Sequence, residues 1–134
     1  MLQPKRQKYR KHFRGKMRGT VIAGSSLVFG EIGLKALGRG WVTSQQIEAA
    51  RKSISHTTKR AGKIWIRIFP DKPYTKKGSG SRMGGGKGDI EGYVVVVKPG
   101  RVLFEITGIP ADIAKRAMWL AGQKLPIATK VIER

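Results

Sequence analysis

No acidic residue precedes Glu31, and the first eighteen residues, MLQPKRQKYRKHFRGKMR, carry eight Lys or Arg. Such a segment has no apolar face to bury, and its charges repel one another, so it has no fold of its own. It is expected to be an arm that orders on a polyanion. Tyr9 and Phe13 are interleaved with the cations, which suits base stacking as well as phosphate neutralisation. A solvated basic tail is the plainer alternative. The same bias runs through the whole chain: 28 Lys or Arg stand against 8 Asp or Glu, for a formal net charge of +20 and a pI near 11.1. Packing that excess into one small domain is self-repulsive, and nucleic acid is the usual partner that relieves it.

The chain has 134 residues, 40% of them hydrophobic, so one compact domain with a modest core is expected rather than wholesale disorder. There is no cysteine, which removes disulfides, thiolate metal sites and thiol catalysis. The longest aliphatic run, residues 94–97, is far short of the ~20 residues of a membrane helix. No apolar stretch follows the basic N-terminus, so no signal peptide is expected. His12 and His56 have no carboxylate close in sequence, and nothing announces a metal or acid–base site.

Short β pieces are expected at 20–22, 27–29 and 34–37, with turns at 24–26 and 38–40. Thr43 and Gln46 have capping-box spacing and open a helix over 44–60, with Ile47, Ala50, Ile54 and Thr57 on its apolar stripe and Gly62 as its stop. Residues 63–69 alternate as a strand. Ile64, Ile66 and Ile68 form its core face, while Lys63, Trp65, Arg67 and Phe69 form either an RNA platform or a half-buried face. Residues 93–97 are expected to pair with 102–106 as a hairpin across Lys98-Pro99-Gly100-Arg101, and the valine run implies a strand covered on both faces. Pro110 opens a second helix at its first position, burying Ile113, Ala117, Leu120 and Ala121. Residues 127–132 return to the sheet. Strands and two helices without βαβ alternation give an α+β fold: two helices packed on a mixed, mainly antiparallel sheet, with a basic N-terminal arm at 1–18 and a long Gly-rich loop at 71–91, all in a single domain.

Within that loop, residues 72–88, KPYTKKGSGSRMGGGKG, hold five basic residues, six glycines and no acid. A long loop of this kind is functional or a flexible linker. Its glycines let backbone N–H groups approach phosphate or base, and Arg82 and Lys87 add charge-assisted bonds. A nucleotide cradle fits poorly. A P-loop ending at Gly86-Lys87 needs glycine where Ser81 stands and Ser or Thr where Gly88 stands, and a dinucleotide fingerprint starting at Gly78 meets Met83. No Cys/His finger, zipper or helix pair for DNA reading is present. Cations spread over arm, helix flanks, strand and loop suit RNA recognised by shape and phosphate.

Lys59-Arg60-Ala61-Gly62-Lys63-Ile64-Trp65-Ile66-Arg67-Ile68-Phe69-Pro70 resembles the first signature block of the large-subunit ribosomal protein L-sixteen family. Arg82-Met83-Gly84-Gly85-Gly86-Lys87-Gly88, with Tyr93 five residues on, resembles its second. Met1-Leu2-Gln3-Pro4-Lys5-Arg6, Gln46-Ile47-Glu48-Ala49-Ala50-Arg51, Lys98-Pro99-Gly100-Arg101 and Lys124-Leu125-Pro126-Ile127 are similar to the bacterial and organellar branch. Gly78-Ser79-Gly80-Ser81 departs from the Pro-containing stretch usual at that point. The resemblance implies two helices against a sheet, a place on large-subunit rRNA beside the peptidyl-transferase region, late entry into assembly, and a loop extended toward tRNA in the aminoacyl site, with the peptidyl site as a further option.

The expected rRNA contacts are Lys5, Arg6, Lys8, Arg10, Lys11, Arg14, Lys16, Arg18, Arg51, Lys52, Lys59, Arg60, Lys63 and Arg67. The expected tRNA-proximal loop is Lys76, Lys77, Arg82, Met83, Gly84, Gly85, Gly86, Lys87 and Gly88. Neighbouring ribosomal proteins are expected partners; no catalytic residue, metal, cofactor, membrane or second copy of the chain is. The expected location is the ribosome of a bacterial cytoplasm, with an organellar ribosome as the alternative. Two other readings stay open: a small NTP-binding enzyme using the Gly-rich loop, and a general RNA chaperone.

Overall fold

The computed structural model describes residues 1–80 and 83–134. Two helices and seven strands follow one another as β1 (Ile32–Ala36), β2 (Gly40–Thr43), α1 (Ser44–Thr57), β3 (Lys63–Ile66), β4 (Lys72–Lys76), β5 (Asp89–Val97), β6 (Val102–Thr107), α2 (Ala111–Gly122) and β7 (Thr129–Glu133). The α+β class holds, but the strands form two sheets. One has the order β3-β6-β1-β7 and the other β2-β5-β4, and every pairing between the described strands is antiparallel. The helices pack on each other; α2 lies over β1, β7 and β6, and α1 meets β2 and β5.

The alternation of β6 explains its central place. Phe104 and Ile106 share a face with Ile32 and Leu34 of β1 and with Ile64 and Ile66 of β3, across from one another in register. That face is the core, joined by Ile47, Ala50 and Ile54 of α1 and by Ala114, Ala117, Met118 and Ala121 of α2. Of the expected stripe of α2, Ala117 and Ala121 are buried, while Ile113 is exposed and Leu120 half-buried; Ala114, Met118 and Gly122 complete the core face, and a Cβ on Gly122 would lie 2.3 Å from Thr129 Oγ1. Pro110 stands just outside α2 as its N-cap, its carbonyl accepting from the Ala114 N–H at 3.0 Å.

The opposite face of β6 carries Glu105, fully buried. Its Oε1 accepts the backbone N–H groups of Val28, Phe29 and Gly30, each at 2.9 Å, and its Oε2 accepts Arg67 Nη1 at 2.8 Å. Residues 28–30 are therefore pinned against the sheet by a side chain, with no strand at 20–22 or 27–29. Trp65 stacks on Phe29 at 5.7 Å, Lys63 lies over Trp65, and Arg67 over Phe29. On the mixed face of β3, Trp65 and Arg67 are half-buried while Lys63 and Phe69 are exposed, and regular pairing stops at Ile66 rather than at Phe69.

Local chemistry at α1 is as expected at its start. Thr43 Oγ1 accepts the Gln46 N–H and the Gln46 side chain accepts the Thr43 N–H, the reciprocal pair of a capping box. Its end differs. Arg60 N–H donates to Ser55 O at 2.9 Å and Lys59 N–H to His56 O at 3.2 Å, a Schellman arrangement with Lys59 and Arg60 both left-handed. Gly62 serves a different need. At φ 74° a Cβ there would lie 2.4 Å from Thr107 O and 2.5 Å from Ile109, so glycine lets the chain pass the end of β6.

Two expectations about pairing are overturned. Residues 93–97 and 102–106 do not form a hairpin. The turn itself forms, with Arg101 N–H donating to Lys98 O and Gly100 at φ 98°. Its flanks are already engaged, however: Gly100 N–H donates to Ala36 O, Ala36 N–H to Arg101 O, and Val102 N–H to Gly24 O. The turn thus passes the chain from one sheet to the other. Nor is 71–91 wholly irregular, because β4 and the Asp89–Val94 part of β5 form a hairpin, paired from Lys72↔Val94 to Lys76↔Asp89 with a register shift between Tyr74 and Thr75, leaving the stretch between the two strands as the loop. Pro73 is tolerated there because β4 is an edge strand. The expected turn at 38–40 ends in β2, which opens at Gly40.

Burial alone would push the Glu105 carboxyl up. The three N–H donors and Arg67 outweigh it and hold the group below the usual carboxylate range. Its stabilisation is therefore complete above the ordinary glutamate value of about 4.3 and is lost as pH falls through the lower native value. Glu105→Ala, which strands Arg67 and three amides, is expected to cost about 3–5 kcal/mol in a denaturant titration at neutral pH. Glu105→Gln should flatten the acid limb of the stability–pH curve.

Candidate nucleic-acid interface

The arm does not hang free of the fold. Gln7 Nε2 donates to Asp71 O at 3.2 Å and Lys11 Nζ to Lys87 O at 3.1 Å. Lys87 Nζ bonds His12 O, Lys72 Nζ bonds Arg14 O, and Arg39 Nη1 reaches Met17 O. Arg14 and Lys72 both lie over the Trp41 ring, at 5.5 and 5.1 Å from its centroid. The arm thus crosses the β4–β5 hairpin, and the root of the Gly-rich loop is tied to the arm. Lys5, Arg6, Lys8, Arg10, Lys16 and Arg18 are exposed along it. None of the arm cations is ion-paired among the described residues.

At the crossing, Arg14, Lys72 and Lys87 converge. Partial burial pushes the Lys72 ammonium below the usual lysine range, and the charges of Arg14 and Lys87 push it further the same way. Beyond it, Lys77 Nζ donates to Gly84 O at 2.5 Å, and Gly84, Gly85 and Gly86 are left-handed in succession, at φ 89°, 77° and 92°. Met83 is almost fully exposed, and Lys76, Lys87 and Gly84–86 are exposed with it, while Lys77 and Gly88 are half-buried. Arg82 lies outside the described residues. The loop joins two antiparallel strands, so no helix N-terminus follows it and the backbone geometry of a P-loop is missing.

The other expected contacts divide. Lys52, Lys59, Arg60 and Lys63 are exposed around the end of α1 and the start of β3. Arg51 is engaged by Glu48 one helical turn away, which lowers the Glu48 carboxyl chiefly through that hydrogen bond, and Arg67 is committed to buried Glu105 and to Ser26 O. Sequence reasoning missed Lys72, Trp41 and Arg39. Lys72 was visible in the basic stretch, but its partner Trp41 belongs to another strand and only the sheet brings them together. Among the described residues no cluster of His, Asp or Glu could hold a metal, and no helix is long and apolar enough to cross a membrane.

Fold and surface define a small, strongly basic α+β protein whose exposed cations gather on the arm, the root of the loop and the end of α1. A family model for ribosomal protein L16p/L10e matches residues 4–132. The chain is 60% identical over its whole length to the large ribosomal subunit protein uL16 of Kosmotoga olearia, covering 95% of that protein. It is 57% identical to that of Pseudothermotoga lettingae over its whole length and 94% of the relative, and 54% identical to that of Aquifex aeolicus over 98% of this chain and 93% of the relative. The chain belongs to the ribosomal protein L16p/L10e family, and so is a non-enzymatic constituent of the ribosome.

Because Arg14 and Lys87 add to the effect of burial on Lys72, Arg14→Ala or Lys87→Ala is expected to move the Lys72 pKa part-way back up. An NMR titration of its Nζ resonance reads this directly.

Proposed function

We propose that this chain binds large-subunit rRNA near the peptidyl-transferase region, helps shape the aminoacyl-tRNA site, and presents the Arg-Met-Gly loop to tRNA. The observation that carries the reading is the joining of two acid-poor basic elements: the arm is fastened across the root of the loop, so RNA that captures the arm also fixes the direction of the loop. The exposed cations Lys5, Arg6, Lys8, Arg10, Lys16 and Arg18, together with Lys11 and Arg14, would neutralise rRNA phosphates. Lys52, Lys59, Arg60 and Lys63 would form a second contact at the end of α1. Arg51 and Arg67 would contribute less, since carboxylates already face them. Residues 76, 77 and 82–88 would form the tRNA-proximal surface, and neighbouring ribosomal proteins would cover part of the rest. Whatever chemistry occurs nearby would belong to the RNA.

Deleting residues 1–18 is expected to weaken rRNA binding and to flatten its salt dependence, each lost phosphate contact lowering the log–log slope by roughly 0.7–0.9. An unchanged slope in filter-binding titrations would remove the arm from the RNA interface. Arg82→Ala should co-sediment with large subunits almost normally yet slow tRNA accommodation. Failure to co-sediment would instead make the loop an assembly element.

A further inference from the structure

Where the arm crosses the β4–β5 hairpin, two adjoining clefts share His12 and Lys87 as walls. One, of about 190 Å³, is bordered by Arg14, Lys72, Trp41 and Tyr74. The other, of about 500 Å³, lies against Tyr9, Lys11 and Phe13. The first gathers Arg14, Lys72 and Lys87 with no acidic lining residue, a convergence that a phosphate would relieve. The Trp41 ring holds two of those side chains in place through its face. The second presents aromatic rings to solvent, Phe13 at 94% and Tyr9 at 64% exposure. Aromatic faces next to a cationic pocket are the elements by which proteins hold an unstacked nucleotide.

We infer that the crossing is a binding site for one unpaired RNA nucleotide, its phosphate between Arg14, Lys72 and Lys87 and its base against Tyr9 and Phe13, with Trp41 as a positioning residue. The inference rests on the RNA-binding reading above. It goes beyond diffuse charge neutralisation, because it requires a base as well as a phosphate.

The test uses the full chain with two probes, hexaadenylate and an inorganic polyphosphate of matched charge. Tyr9→Ala and Phe13→Ala are expected to weaken hexaadenylate binding about 5- to 150-fold, the range of stacking losses, while leaving polyphosphate binding unchanged. Lys72→Ala should weaken both and lower the salt slope for hexaadenylate by about 0.7. Equal losses for both probes in the aromatic variants, or no loss in Lys72→Ala, overturn the nucleotide site. If the wild-type chain co-sediments with large subunits while the variants bind hexaadenylate unchanged, this inference alone falls. If the wild-type chain neither co-sediments nor binds hexaadenylate, the RNA-binding reading falls with it.

Discussion

Glu105 is the one charged side chain that the described fold buries completely, and the layout of the molecule turns on it. A carboxylate taken out of water needs several strong donors, and this one finds three backbone amides from one short segment and a guanidinium from β3. In meeting its own requirement it fixes residues 28–30 on the back of the four-stranded sheet. The chain leading up to that point, otherwise without secondary structure, is thereby anchored at its root. It also withdraws Arg67 from the surface, leaving the ring of Phe29 to stack on Trp65. A protein with so few acids spends one of them on its own architecture.

The features legible in the sequence were those with short-range causes. The capping box at Thr43 and Gln46 is a four-residue signal, and it formed as read. The type II turn at 98–101 is another, and it formed too. What failed was the inference from turn to hairpin, because pairing depends on which strands compete for each edge: β1 and β3 take both edges of β6, and β2 and β4 take those of β5. The strand β4 was hidden by a composition of Pro, Lys and Gly neighbours that reads as loop. On α2 Ala117 and Ala121 face the core as read, but Ala114 and Met118 take the places expected of Ile113 and Leu120. The arm and the loop were visible in composition alone. Their crossing was not, since Arg14, Trp41, Lys72 and Lys87 are far apart along the chain and nothing local links them.

The cations fall into two kinds. Arg51, Arg67 and Lys115 have carboxylate partners within the fold. Lys11, Lys72 and Lys87, where the arm meets the root of the loop, donate instead to carbonyl oxygens, which satisfy donors without cancelling charge. That arrangement orders the backbone of the arm while leaving its electrostatic field intact. It suits a chain that meets a polyanion with part of its binding surface already arranged.

Among the described residues nothing lies within 4 Å of where a Cβ would stand on the three left-handed glycines at 84–86, so none of those neighbours forbids substitution. The backbone does so by itself, because φ near +80° disfavours every L-residue. Substitution at the tip is therefore opposed by handedness rather than by crowding from any described neighbour. A D-amino acid would fit where its mirror image does not, and a loss of function on replacing these glycines with alanine reports on chirality before it reports on any partner.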